Sequence, residues 1–306
     1  MVDDSLLLAL SAAIAWGASD FLGGITTRAV SVVRVLAVSQ SCGLVVISVV
    51  FLASGARFPS GIAILEASLA GVAAVVALGM LYVALAIGRS AMVGPIAASG
   101  VIVPVVVGLV EGNTLTLVTT AGMVLAGVGI FCSGWEEPSE HRGDKTRRRR
   151  PVVVALAVGA ALTTGAYLTL IKAASASSSL GTIEVLKVTA TACALLVLFV
   201  VDSSTQRRRL RSGATLSTGD SAGLTRRRLR WVLVAAVGIA DVVAEVLYAT
   251  STVHGQLSIV SMISGLYPVV TIGLFVAIYK ERVNGVQLVG AVVAIAGLSL
   301  IAIGVG

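Results

Sequence analysis

Ser99-Gly100-Val101-Ile102-Val103-Pro104-Val105-Val106 in the first half of the chain is matched by Ser264-Gly265-Leu266-Tyr267-Pro268-Val269-Val270 in the second. A lone glutamate follows each stretch, Glu111 and Glu281, and an Ala-Gly pair then follows each glutamate at the same distance, Ala126-Gly127 and Ala296-Gly297. An apolar chain that repeats itself in this way points to a membrane transporter built from two related bundles.

Composition supports the membrane. Of the 306 residues 57% are hydrophobic and only 12% are charged, against about a quarter charged in a soluble domain. Mean hydropathy is +1.01. So little polar surface cannot coat a water-facing globule, and lipid must supply most of the solvent. The acidic start Met1-Val2-Asp3-Asp4 lacks the basic region of a secretory signal, so the first apolar run is expected to be a retained span. Cys42, Cys132 and Cys193 lie singly in apolar runs, which fits packing and gives no metal-ligand spacing.

A span needs about 20 apolar residues. That ruler gives ten: 5–27, 33–53, 63–87, 91–110, 115–134, 151–172, 182–201, 231–252, 256–279 and 285–304. They lack the even alternation of barrel strands, and helices satisfy their own backbone in lipid. The expected fold is therefore all-α, ten membrane helices in two units. Residues 1–135 form the first, 136–150 a basic linker, and 151–306 the second with a basic loop at 202–230. Five spans per unit means that the second enters the membrane from the opposite side, giving an inverted repeat. Small pairs such as Gly122/Ala126 and Gly290/Ala294 offer close helix contact.

Net charge is +7, and of the 22 lysines and arginines all but Arg57, Lys172 and Lys187 fall at connections after odd-numbered spans. Positive-inside reasoning places those connections in the cytoplasm and both termini outside. The runs Arg142–Arg150 and Arg207–Arg230 read as topology signals and contacts for anionic headgroups, not as nucleic-acid sites. Trp135 and Trp231 flank them as interfacial anchors.

Tyr248-Ala249, Gly255, Ser258, Ser264–Thr271, Lys280-Glu281-Arg282, Gly290 and Ala296-Gly297 resemble the second half of an EamA-type transporter of the drug/metabolite transporter superfamily. Trp16-Gly17, Tyr82, Ala84, Gly88, Pro95, Pro104, Glu111 and Gly127 resemble the first half. The resemblance implies two inverted five-helix repeats around a central cavity and secondary transport, often export, of small metabolites across the cytoplasmic membrane. It also implies cytoplasmic termini, against the charge count.

Three acids fall where an ionised group costs ~2.5–3.5 kcal/mol on insertion scales: Asp20, Asp241 and Glu245. Asp20 shares a helix face with Trp16, Gly23 and Thr27, an aromatic wall beside an acid. Asp241, Glu245 and Tyr248 form one polar stripe. Two carboxylates one turn apart repel when both are ionised, so the pair is a candidate proton carrier, with Glu245 the deeper; the alternative is pairing with a basic residue on a neighbouring helix. Tyr82, Tyr248 and Tyr267 are candidate cavity walls. Ser99 and Ser264 line the pathway or bond their own helix carbonyls. Pro95, Pro104 and Pro268 are candidate hinges or kinks. Glu111 and Glu281 are expected to stabilise helix N-termini, and Arg34 and Lys187 to snorkel to headgroups.

No metal set, GxSxG, HExxH or P-loop is present, so neither a cofactor nor catalysis is expected, and a gradient is the expected energy source. The reading is a secondary transporter of a small-molecule substrate by alternating access, with protons as candidate coupling ions. The alternatives are a small-drug or lipophilic-cation efflux protein, and behind it a membrane scaffold or intramembrane enzyme.

Overall fold

The computed structural model describes residues 2–27, 29–87, 93, 96–133, 145–212, 224–279 and 284–305. Within them every regular element is helical. The helices are α1 (Val2–Thr27), α2 (Val32–Ser54), α3 (Ile62–Ile87), α4 (Ile102–Val110, entered through a 3₁₀ turn at Ser99–Val101) and α5 (Leu117–Ser133). They continue as α6 (Lys145–Ser175), α7 (Ser179–Ser212), α8 (Leu224–His254), α9 (Leu257–Ser264), α10 (Tyr267–Tyr279) and α11 (Gly285–Val305).

Among the described residues eight helical segments are long and apolar enough to cross a membrane, and Ile96–Val110 and Leu117–Ser133 are shorter apolar helices. The span expected at 91–110 is thus described only from Ile96, and the one expected at 256–279 is the single candidate crossing Leu257–Ile278, with a two-residue turn between its two helical stretches. Basic segments read as connections are partly helical: α6 starts at Lys145, α7 runs to Ser212 and α8 starts at Leu224. Arginine is a good helix former, so a charged flank extends a helix past the apolar run.

Local chemistry sets the ends. Gly55 closes α2 with φ 65°, the left-handed conformation that glycine adopts freely. Ser178 Oγ accepts from the Gly181 N–H at 3.1 Å, capping α7, and Thr116 Oγ1 accepts from the Thr119 N–H at 3.1 Å, capping α5. Asn284 and Gln287 cap the start of α11 reciprocally, each side-chain oxygen accepting from the other's backbone N–H. Asn113 caps α9 from the other half of the chain, its Oδ1 accepting from the Ser258 N–H at 3.1 Å.

Packing joins the halves in reciprocal pairs. α1 packs on α8 as α3 packs on α6, and α2 packs on α8 as α7 packs on α3. α1 meets α9 and α10 as α6 meets the 3₁₀ turn and α4. α2 packs on α7, α4 on α9 and α5 on α11. The α5–α11 seam is built from Gly122, Ala126 and Gly129 against Gly290, Ala294 and Gly297, the small-residue pairs expected from sequence. A Cβ on Gly122 would lie 2.8 Å from the Gly297 carbonyl oxygen, and one on Gly290 would lie 2.5 Å from the Ser133 nitrogen. Lipid gives no hydrophobic drive between helices, so this backbone proximity supplies the attraction. Gly129→Leu is expected to cost about 1–3 kcal/mol through overpacking, read as a lower unfolding temperature in detergent.

Candidate functional site

A cavity of about 150 Å³ lies where α1, α2, α3, α6 and α8 meet the two broken segments. At ~30 Å³ per water it holds roughly five waters, or a solute about the size of benzene. Trp16 and Asp20 face it from α1, Gln40 from α2, Tyr167 from α6, and Asp241 and Glu245 from α8. Its fourth side is formed by the chain breaks. Ala97, Ala98 and Val101 lead into and through the 3₁₀ turn, and Ser264, Gly265 and Tyr267 stand at the α9–α10 junction. The matched stretches of the two halves therefore close the same cavity. The remaining lining is largely the small and apolar face of α3, through residues such as Ala77 and Leu81.

The two carboxyls on α8 are held by one ammonium. Lys187 Nζ donates to Asp241 Oδ2 at 2.6 Å and to Gln40 Oε1 at 2.9 Å, and lies 3.0 Å from Glu245 Oε1. Its side chain is wholly buried, that of Glu245 is 2% exposed and that of Asp241 23%. A lysine has three N–H donors, and here all three are directed at partners. Gln40 also donates to Asp241 Oδ2 at 3.3 Å, and Tyr167 donates its hydroxyl to Glu245 Oε1 at 2.9 Å. The cluster thus ties α2, α6, α7 and α8. Lys187 sits eight residues into α7, ~12 Å along the axis and so near the middle of a ~30 Å hydrocarbon core.

Asp20 is different. It is exposed to the cavity, and among the described residues no hydrogen-bond or ion-pair partner holds it. Trp16 is one turn away on the same helix. Its neighbour Ser19 points the other way and fixes α1 to α8, donating to the Val237 carbonyl at 3.1 Å.

Of the residues singled out from sequence, Trp16, Asp20, Asp241, Glu245, Ser264 and Tyr267 come together at the cavity. Ser264 also donates to the Ala9 carbonyl at 3.2 Å. Tyr248 does not reach the cavity. It is buried behind Trp16, ring centroids 5.5 Å apart, with its hydroxyl 2.8 Å from Ser261 Oγ; the turn of α8 carries it past the wall that Glu245 meets. Ser99 bonds its own helix, donating to the Ile96 carbonyl at 2.6 Å. Pro104 and Pro268 stand in the first turns of α4 and α10, where a missing N–H costs little; the chain break lies just ahead of each. Pro95, Glu281 and the side chain of Tyr82 lie outside the described residues.

Two expectations are corrected. Lys187 does not snorkel, because its acid partners lie at its own depth. Glu111 caps no helix N-terminus; it pairs with Lys172 at 3.3 Å on the surface, and Thr116 caps α5 instead. Arg34 pairs with exposed Asp202 at 3.1 Å. Gln40 and Tyr167 were not singled out from sequence, since a lone amide or phenol in an apolar run carries no signal about its neighbours.

Residues 152–303 match the model of the EamA-like transporter family. The chain belongs to that family. Its members are transporters of the drug/metabolite transporter superfamily. No curated protein matches the chain. Among solved structures 29 chains match. One, described only as "Crystal structure of protein", superposes with a TM-score of 0.75 at 15% identity over 99% of this chain and 98% of its own, which establishes likeness of fold. The EamA-like match lies in the second half, the half that supplies Tyr167, Lys187, Asp241 and Glu245.

Proposed function

We propose that this EamA-like protein is a secondary transporter that moves a small solute through the cavity by alternating access. The observation that carries the reading is charge: among the described residues three carboxyls and one ammonium meet at a cavity inside an apolar bundle. If all three carboxyls ionise, two negative charges lack a partner, and an unpaired charge inside a membrane is costly. The site therefore takes up positive charge, as a proton or as the cationic group of a solute. Asp20 is the group with free valence, and Asp241 and Glu245 exchange Lys187 for the incoming charge.

The reciprocal packing supports two related five-helix units facing opposite ways, ten crossings in all. Such units rock against each other about a fixed midplane site. The 3₁₀ turn at Ser99–Val101 and the turn at Gly265-Leu266 interrupt the α-helical ladder at the cavity while Val101 and Gly265 keep right-handed helical backbone, and such interruptions are tolerated where protein or water covers them. Export across the cytoplasmic membrane is the proposed direction. Aromatic Trp16 and Tyr267 beside Asp20 also favour a second reading, efflux of lipophilic cations, by cation–π contact.

The test is uptake and counterflow of a metabolite panel in proteoliposomes, with and without a pH gradient. Solutes carrying an amine are expected to exchange, and purely anionic ones are not. Asp241→Asn and Glu245→Gln are each expected to lose the response to the gradient. If both variants keep pH-driven transport intact, the acids are not the coupling groups. Broad cation resistance on expression separates drug efflux from metabolite transport.

A further inference from the structure

The two halves of the chain meet the cavity through matching contacts. A Cβ on Gly17 of α1 would press on the Tyr267 carbonyl, and one on Gly165 of α6 would press on the Gly100 carbonyl. A Cβ on Gly238 of α8 would press on the Ser39 carbonyl, and one on Gly71 of α3 on the Leu186 carbonyl. These glycines give the two helix pairs a common register. Trp16 and Asp20 of α1 stand where Thr164 and Leu168 stand on α6, and Asp241 and Glu245 of α8 stand where Ala74 and Leu78 stand on α3. All eight residues line the cavity.

The chemistry does not follow the register. All three carboxyls, with Trp16, belong to the α1–α8 wall. At the matching places the α3–α6 wall has one hydroxyl and is otherwise hydrocarbon, which Ala77 and Leu81 extend. Tyr167 of α6 also lines the cavity, but its hydroxyl is given to Glu245 at 2.9 Å. A bound solute therefore meets acid on one side and apolar surface on the other. An ammonium is stabilised at the first wall by charge-assisted hydrogen bonds, and methylene groups at the second by leaving water.

A carboxylate has no place at either wall. Among the described residues no lysine, arginine or histidine lines the cavity. Lys187 stays outside the lining, wholly buried, with its donors engaged by Asp241, Glu245 and Gln40. Broken helices can offer backbone N–H groups to an anion, but these turns use their own. The Ile102 N–H donates to the Ser99 and Gly100 carbonyls, that of Gly265 to Ser261 and that of Leu266 to Ile263.

We propose that the solute is a small amphipathic amine without a carboxylate. Its ammonium is held at Asp20 and Asp241, and its apolar body, no larger than about a benzene ring, lies against Ala74, Leu78 and Leu168. Free amino acids are rejected, because their carboxylate would give up water for hydrocarbon with no donor in return. This rests on the transport reading above and narrows its solute to one class.

Pentylamine, alaninamide and alanine have the same number of heavy atoms, and each carries one ammonium, so size does not separate them. Their binding to the full chain, purified in detergent, is measured by calorimetry at neutral pH. Pentylamine is expected to bind at least about tenfold more tightly than alaninamide, the effect of roughly two buried methylenes. Alaninamide is expected to bind at least about tenfold more tightly than alanine, which differs from it in bearing the unpartnered carboxylate. Asp20→Asn is expected to weaken pentylamine binding about tenfold or more, which partition into detergent would not do. The proposal is overturned if alanine binds within about threefold of alaninamide, if alaninamide binds as tightly as pentylamine, or if Asp20→Asn leaves pentylamine binding unchanged. Alanine binding as alaninamide does, with counterflow present in the solute panel, overturns the ligand class and leaves transport standing. The expected order of binding without counterflow of any solute overturns transport and leaves the ligand class.

Discussion

Lys187→Met is expected to destabilise the protein by about 3–5 kcal/mol, the usual cost of removing one partner from a buried ion pair, and to abolish transport. Lys187 is wholly buried and serves Asp241, Glu245 and Gln40 at once. Removing its ammonium leaves two carboxyls facing each other one helical turn apart on α8, with no other described cation near them. The penalty belongs to those stranded acids rather than to the lost contact itself. It follows that Lys187→Met combined with Asp241→Asn and Glu245→Gln recovers most of the lost stability, since a neutral buried set can match a paired one. The triple variant is nevertheless expected to remain inactive, because the groups that exchange charge are gone. Thermal unfolding in detergent and counterflow in liposomes read the two effects separately. A single Lys187→Met variant that unfolds at the wild-type temperature is incompatible with the cluster described.

Asp20→Asn is expected to show the opposite pattern. Asp20 has no partner among the described residues and is exposed to the cavity, so its charge does no structural work. Stability is expected to move by no more than about 0.5 kcal/mol, as for an isolated surface change. A hydrogen bond to a charged group contributes about 1.5–3 kcal/mol, which is roughly ten- to hundredfold in solute affinity. Transport of amine-bearing solutes is thus expected to weaken by that factor, measured as a rise in the concentration for half-maximal counterflow. A stable variant with unchanged transport would remove Asp20 from the site. A variant that unfolds would show that the carboxyl has a partner.

Much of this site was legible in the sequence because lipid makes an acid conspicuous. Asp20, Asp241 and Glu245 stood out as charges in apolar runs, and helical spacing brought Trp16 to the same face as Asp20. The duplicated Ser-Gly stretches marked the breaks that close the cavity. Lys187 was visible as a charge, but its role was not. Its depth depends on where α7 begins, and its partners depend on how α7 turns against α2 and α8, which local periodicity does not encode. Gln40 and Tyr167 gave even less signal, since an amide or phenol in a membrane helix is unremarkable until its neighbour is a carboxyl. Tyr248 shows the converse. Its place on the polar stripe with Asp241 and Glu245 was read correctly, but a helix face some 100° wide meets both a cavity and a packed neighbour, and Tyr248 meets Ser261 and Trp16. The extents of α7 and α8 were misjudged for a related reason: hydropathy marks where lipid ends, while arginine-rich sequence continues a helix into water.

The central claim is that the cavity between the two halves opens to each side in turn. Ala98 lines it beside the first chain break, and replacing the native Cys42, Cys132 and Cys193 allows a single Ala98→Cys to report on it. The decisive measurement is labelling of that cysteine by a membrane-impermeant maleimide, applied from one face and then from the other, with and without transported solute. Alternating access predicts labelling from both faces, slowed from both by solute. Labelling confined to one face whatever the solute, or rates that solute leaves unchanged, would contradict it.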